Sequence, residues 1–287
     1  MAEHGTISFM LSLGFRFLSH WPLWALQVLG HGLGWLAWLF SPTYRRRFLA
    51  NSGRAGLSAW QRWRAAGHAG CLITELPRLW LGRLPRVIWA PPDRVQATYQ
   101  SGQGVIFLTP HMGCFEITAQ AVAVQLAPQW GPLTVLYRPA RRPSLDALMR
   151  ASRKRPGLHT VATNLSGVRE LLKALREGRA VGLLPDQVPP LGMGAWAPFF
   201  GEPAYTMTLA ARLAQQTGAP VLLVWAERLS WGRGFRIHSQ ALPEPLSPDL
   251  PTAVAQINQA MEALIRTCPE QYLWGYHRYR EPRQEAL

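Results

Sequence analysis

The sequence predicts an α/β fold, a mostly parallel sheet flanked by helices, with an apolar N-terminal helix ahead of it. Three observations carry this. Short, uniformly apolar runs recur from residue 105 onward, as strands buried on both faces require. Helix-period segments separate them, and alternation of strands with helices implies parallel pairing covered by helices. Residues 7–40 are overwhelmingly apolar, and residues 21–40 contain no Asp, Glu, Lys or Arg.

The apolar stretch reads as a segment for membrane attachment, dividing the chain into an attachment segment, 1–44, and a main domain, 45–287. Twenty helical residues reach about 30 Å, roughly the hydrocarbon thickness of a bilayer. A cleaved signal peptide fits poorly, because Met1–Gly5 holds no basic residue and no small-residue cleavage site follows the run. Pro22, His31, Gly30, Gly32 and Gly34 weaken a spanning helix, whereas Trp21, Trp24, Trp35 and Trp38 suit the interface. Spanning, lying in the interface and forming a buried hairpin all remain open. Arg45, Arg46 and Arg47 follow at once, which favours a cytoplasmic side for what comes after.

The net charge is +14, and only Lys154 and Lys173 are lysines. Arginine's planar fork suits phosphate and carboxylate, so the balance points to an anionic partner. Between Arg45 and Trp89 lie nine arginines and a single acid, Glu75, interleaved with Trp60, Trp63, Trp80 and Trp89. Such a stretch fits an anionic membrane or single-stranded nucleic acid. The adjoining apolar segment favours the membrane, and no nucleic acid is expected. Cys71, Cys114 and Cys268 are scattered and odd in number, which argues against a disulfide framework or a zinc knuckle.

In the main domain, residues 105–109, 133–138, 180–184 and 220–225 read as strands. Residues 113–126, 166–177, 206–216 and 252–266 read as helices, the second capped by Ser166 and closed by Gly178. Ligands of such sheets sit beyond the carboxyl ends of the strands. Three polar groups of residues fall there. His111 and Glu116 follow the first strand, Arg138 ends the second, and Asp186 and Gln187 follow the third. Their convergence marks an enzyme.

His111 and Glu116 are separated by four residues, and positions five apart lie about 140° apart around a helix. They meet only if His111 is in the loop and Glu116 in the first helical turn, and Pro110 and Gly113 permit that loop. The carboxylate would then fix the imidazole's tautomer, and the other ring nitrogen would take a proton from a hydroxyl nucleophile. Backbone amides at the helix start are candidate oxyanion donors. Spacing alone favours a strand-end histidine followed by a helix-capping glutamate, with no chemistry. Cys114 is either a nucleophile for His111 or a small buried residue. No metal site is expected, since no His-Glu-x-x-His pattern or nearby second ligand occurs.

The ordered set of motifs resembles the late acyltransferases of bacterial lipid A biosynthesis, the lauroyl and myristoyl transferase group, within the glycerolipid acyltransferase superfamily. The resemblance covers most of the chain. It runs through the apolar anchor, His111–Glu116, Tyr137-Arg138-Pro139, Leu184-Pro185-Asp186-Gln187, Pro198-Phe199-Phe200-Gly201, Thr217-Gly218-Ala219-Pro220-Val221 and Pro269-Glu270-Gln271-Tyr272-Leu273-Trp274. One departure is His277-Arg278-Tyr279-Arg280, where members often carry consecutive arginines. The resemblance implies a glycerolipid-acyltransferase-like fold and transfer of a fatty acyl chain from an acyl carrier protein thioester to a hydroxyl of a phosphorylated glycolipid, at the cytoplasmic side of the inner membrane. It implies His111 as general base with Glu116 as partner, Arg138, Asp186 and Gln187 toward substrate, and no cofactor beyond the acyl-carrier co-substrate. Acylation of a lysophospholipid or another glycolipid, hydrolysis by an esterase, and a non-catalytic basic binder are the alternatives.

Overall fold

Strand β2 (Val105–Leu108) is buried at every position and stands at the centre of a seven-stranded sheet of order β1-β9-β8-β2-β5-β3-β4. The structure is a computed structural model, and it describes residues 13–137 and 155–284 of the chain. Strands β3 (Leu133–Tyr137), β5 (Ala180–Leu183) and β8 (Val221–Arg228) run parallel to β2, as the apolar runs predict, and β4 (Leu158–Ala162), which no apolar run marked, adds parallel to β3. Strand β9 (Phe235–Ala241) returns antiparallel to β8, and β1 (Val87–Ala90) pairs parallel with β9. A separate hairpin, β6 (Gly194–Phe199) with β7 (Glu202–Met207), completes the β structure among the described residues.

Ahead of β1 lie α1 (Leu23–Phe40), α2 (Pro42–Arg54), α3 (Ala59–Thr74) and α4 (Leu76–Leu81). Residues 13–19 are also helical, and Pro22 starts α1 afresh. Residue 44, the expected boundary, lies inside α2, and Asn51 of that helix donates through Nδ2 to the carbonyls of Trp274 and Tyr276 at 2.8 and 2.7 Å. The N-terminal helices are thus tied to the far end of the chain.

Within the sheet region, α5 (Asp93–Gln100), α6 (Phe115–Ala121), α7 (Ala127–Trp130), α8 (Leu165–Arg176), α9 (Leu209–Thr217) and α10 (Leu250–Thr267) follow in order. All four expected helices have different ends, the last running over Leu250–Thr267 rather than 252–266. The segment read as 113–126 starts at Phe115, passes through a π turn over Val122–Leu126 and resumes as α7. Pro128 has no amide to continue the α ladder, and the Ala127 amide reaches Val122 instead. Helix α8 is capped by Asn164, which accepts from the Gly167 amide at 3.0 Å, rather than by Ser166. Thr206 belongs to β7, and α9 begins only at Leu209.

Helix α1 packs along α3 at a distance set by glycine. A Cβ on Gly70 would lie 1.9 Å from the Gly30 carbonyl, and one on Gly34 would lie 2.2 Å from the Ala66 carbonyl. Two of the glycines that weaken α1 as a spanning helix are therefore the contact surface of a close helix pair. Gly32, on the same helix, has nothing within 4 Å of its Cβ direction. Gly70→Ala is expected to lower stability by about 1–3 kcal/mol, as overpacking does. Gly32→Ala is expected to leave stability unchanged or raise it by up to about 1 kcal/mol. Thermal unfolding of the two variants checks this, and equal melting shifts would contradict the close-packed pair.

Candidate active site

The site is built where β2 and β5 end. Leu108 pairs with Leu183, and the Thr109 amide adds one more rung by donating to the Leu183 carbonyl at 3.1 Å. His111 and Asp186 each lie three residues beyond that Leu108–Leu183 pair, on neighbouring chains leaving the sheet in the same direction. Equal offsets from a shared register bring them together. His111 Nδ1 lies 2.7 Å from Asp186 Oδ1, and the His111 amide donates to Asp186 Oδ2 at 2.9 Å. One carboxylate holds both the backbone and the ring of the same residue. With Nδ1 donating to the carboxylate, Nε2 is left as the ring nitrogen able to accept a proton.

The placement expected for the motif is found: His111 lies in the loop and Glu116 is the second residue of α6. The hydrogen-bonding partner differs. The carboxylate meeting Nδ1 is Asp186, which sequence reasoning assigned to substrate, whereas Glu116 accepts from Trp80 Nε1 at 3.3 Å. Gln187 follows in the same turn and is half-buried. Arg138 lies outside the described residues.

Asp186 is 1% exposed and His111 is 17% exposed, so the pair is sheltered with the ring at the more open end. Burial pushes the Asp186 carboxyl up. The His111 charge and both His111 hydrogen bonds outweigh it, with Arg278 adding to them, and hold the carboxyl below its ordinary value. The Tyr272 hydroxyl faces the same carboxylate, and burial and the Asp186 charge raise its pKa well above the usual phenol range. It stays protonated and can only donate there.

Residues 111–114 are fixed by backbone bonds on every side. The His111 carbonyl accepts from the Leu273 amide at 3.0 Å, and the Gly113 amide donates to the Gln271 carbonyl at 2.8 Å. The Cys114 amide donates to the Ala226 carbonyl at 2.9 Å, and the Met112 amide turns back to Pro110 at 2.7 Å. Gly113 has φ +58°, and a Cβ there would lie 1.9 Å from the Ala226 carbonyl, so only glycine fits. The amides of residues 112–114 are all engaged within the fold, and the helix itself starts only at Phe115. Cys114 is buried, and burial pushes its thiol well above the ordinary range. It packs as a small buried residue.

A second ion pair lies beneath the loop and was not singled out from sequence. Arg228, at the end of β8, donates from Nε and Nη2 to the two oxygens of Glu75 at 2.7 and 2.8 Å, and from Nη2 to the Gly113 carbonyl at 3.1 Å. The isolated acid in the arginine-rich stretch was the available signal. Nearby, His31, His68 and Cys71 bring ligand-type atoms within 4.8 Å of one another. His31 Nδ1 already meets the Gln27 carbonyl at 2.7 Å, and His68 Nδ1 faces Arg228 Nη1 at 3.4 Å. The ring and thiol atoms of the cluster thus already have partners within the fold.

A family profile described as bacterial lipid A biosynthesis acyltransferase matches residues 84–281. The chain belongs to that family. It is 26% identical over 189 residues to a lipid A biosynthesis palmitoleoyltransferase of Escherichia coli (strain K12), covering 66% of this chain and 60% of the relative. It is 28% identical over 192 residues to the lauroyltransferase of the same organism, with 66% and 60% covered. With the corresponding myristoyltransferase it shares 25% identity over 193 residues, with 66% and 58% covered. The chain therefore spans about 60% of the length of the curated relatives it matches.

A carboxyl held below its ordinary value stabilises the fold above the unfolded pKa, about 3.9, and that contribution is lost as pH falls through the lower folded value. Asp186→Asn is expected to melt below the parent at pH 7, with the gap shrinking below about pH 4. Melting curves across pH check this, and a gap that widens in acid would contradict it.

Proposed function

We propose that this protein is a membrane-associated acyltransferase that moves a fatty acyl chain from an acyl carrier protein thioester to a hydroxyl of a lipid A precursor. The observation that carries the reading is the His111–Asp186 pair at the end of the central strand, in a chain of the lipid A acyltransferase family. A base that removes a hydroxyl proton is what ester formation from a thioester requires.

His111 Nε2 takes the proton of the acceptor hydroxyl as the oxygen attacks the thioester carbonyl. Asp186 accepts from Nδ1 and stabilises the imidazolium that forms, as the acid of a catalytic triad does. The tetrahedral oxyanion collapses, the C–S bond breaks, and the leaving thiolate takes the proton back from the imidazolium. An ester and a free carrier thiol result. Glu116, from the first turn of α6, and Gln187, beside Asp186, complete the polar surroundings. Arg138 is assigned to the oxyanion or to a phosphate of the acceptor, consistent with the engaged amides of residues 112–114. The thioester supplies the activation, and the reading needs no nucleotide or metal.

Membrane association is supported by the outer face of α1. Among the described residues this helix alone is long and apolar enough to cross a membrane. Its inner face packs on α3, while Trp24, Val28, Leu36 and Phe40 on the other side are exposed. Trp231 extends the apolar surface, since its neighbour Gly232 packs directly on the Trp24 backbone. An apolar band of this kind, followed by exposed Arg46 and Arg47, fits a helix lying in the interface of an anionic membrane better than one crossing it. The active face would then meet a lipid acceptor at the cytoplasmic side of the inner membrane, with the arginine surface available to the acidic carrier protein.

His111→Ala and Asp186→Asn are each expected to lower kcat about 10²–10⁴-fold with the fold retained. Mass spectrometry of lipid A from cells with and without the gene should reveal one missing acyl chain. Unchanged lipid A would refute the acceptor, and carrier thioester hydrolysed without transfer would make the protein a thioesterase. Trp24→Ser with Phe40→Ser is expected to weaken co-sedimentation with anionic vesicles, and unaltered binding would move the membrane contact elsewhere.

A further inference from the structure

We infer that Glu75 and Arg228 are positioning residues for His111, holding the catalytic loop through the Gly113 carbonyl and joining it to the N-terminal helices. The inference rests on the acyl-transfer reading of His111.

Both side chains are fully sheltered, Glu75 at 0% and Arg228 at 2% exposed. They form a fork-to-fork pair, and the same Nη2 that meets Glu75 also donates to the Gly113 carbonyl. Burial acts against the Arg228 charge, but the Glu75 carboxylate outweighs it and holds the guanidinium firmly protonated. Arg228 is placed as exactingly as its side chain. Its amide donates to Gln271 Oε1 at 2.8 Å and its carbonyl accepts from Gln271 Nε2 at 3.1 Å. Gln271 in turn accepts the Gly113 amide on its own carbonyl. Arg228 and Gln271 therefore grip both polar groups of Gly113, two residues beyond the base.

On its other side, the pair reaches the apolar helices. Gln27 of α1 donates through Nε2 to Glu75 Oε1 at 3.3 Å, and its Oε1 accepts from the Gly232 amide at 2.9 Å. Glu75 itself stands at the junction of α3 and α4. A continuous set of bonds thus runs from α1 through Glu75 and Arg228 to Gly113. A buried ion pair is a poor source of stability, because apolar replacements of similar volume often fold as well or better. What the pair supplies here is the location of a carbonyl, and through it the location of the imidazole.

The test compares purified parent, Glu75→Gln, and the double variant Glu75→Leu with Arg228→Met, using an acyl carrier thioester and a lipid A precursor. The double variant is expected to keep KM for both substrates within about twofold while kcat falls about 10²-fold, the size of effect that misplacement by about 1 Å produces. Glu75→Gln keeps the side-chain shape but breaks the fork, and is expected to lose kcat in the same direction by a smaller factor. It serves as the deciding variant if the double variant does not fold. Folded variants with parental kcat, or losses confined to KM, would overturn the positioning role. A parent without acyl transfer would instead remove the reading on which it rests.

Discussion

The organising constraint of this molecule is the contact between Gly113 and the Ala226 carbonyl. The loop after β2 lies so close to β8 that a single methyl group would collide with the neighbouring backbone. That approach lets the amide of Cys114 bond to β8, brings Gly113 within reach of Arg228 and Gln271, and starts α6 immediately afterwards. His111 is thereby fixed between two strands, with its amide and ring both turned to Asp186. Preorganisation of this kind is what a general base needs, since its proton partner must meet one nitrogen at one distance.

The same economy appears in the N-terminal helices. Glycines at the crossing of α1 and α3 allow two backbones to touch, and the close crossing buries Gln27, Cys71 and Thr74. Buried polar groups demand partners, and Gln27 finds them in Glu75 and the Gly232 amide. The apolar outer face of α1 is thus rigidly joined to the sheet rather than hung from it. The face proposed to meet the membrane and the proposed base thus share one framework.

Much of this was legible in the sequence. Continuous apolar runs identified β2, β3, β5 and β8, because central parallel strands are covered on both faces and need no alternation. Strand β9 alternates buried and half-buried positions, and β6 contains Pro198, so neither matches that pattern. Residue spacing placed His111 in the loop and Glu116 on the helix, but spacing is local. The Asp186 bond depends on the β2–β5 register, which joins residues 75 apart and has no local signature. Glu75 and Arg228 are 153 residues apart, and their pairing was invisible for the same reason. The glycines of α1 carried the opposite lesson: read as helix weakeners, two of them are packing surfaces.

The central claim is that Asp186 orients His111 through Nδ1. Nuclear magnetic resonance of protein labelled with nitrogen-15 at histidine tests it most directly. The His111 Nδ1–H proton should give a strongly downfield resonance, persisting in Glu116→Gln and disappearing in Asp186→Asn. A resonance that survives Asp186→Asn and is lost in Glu116→Gln would contradict the account.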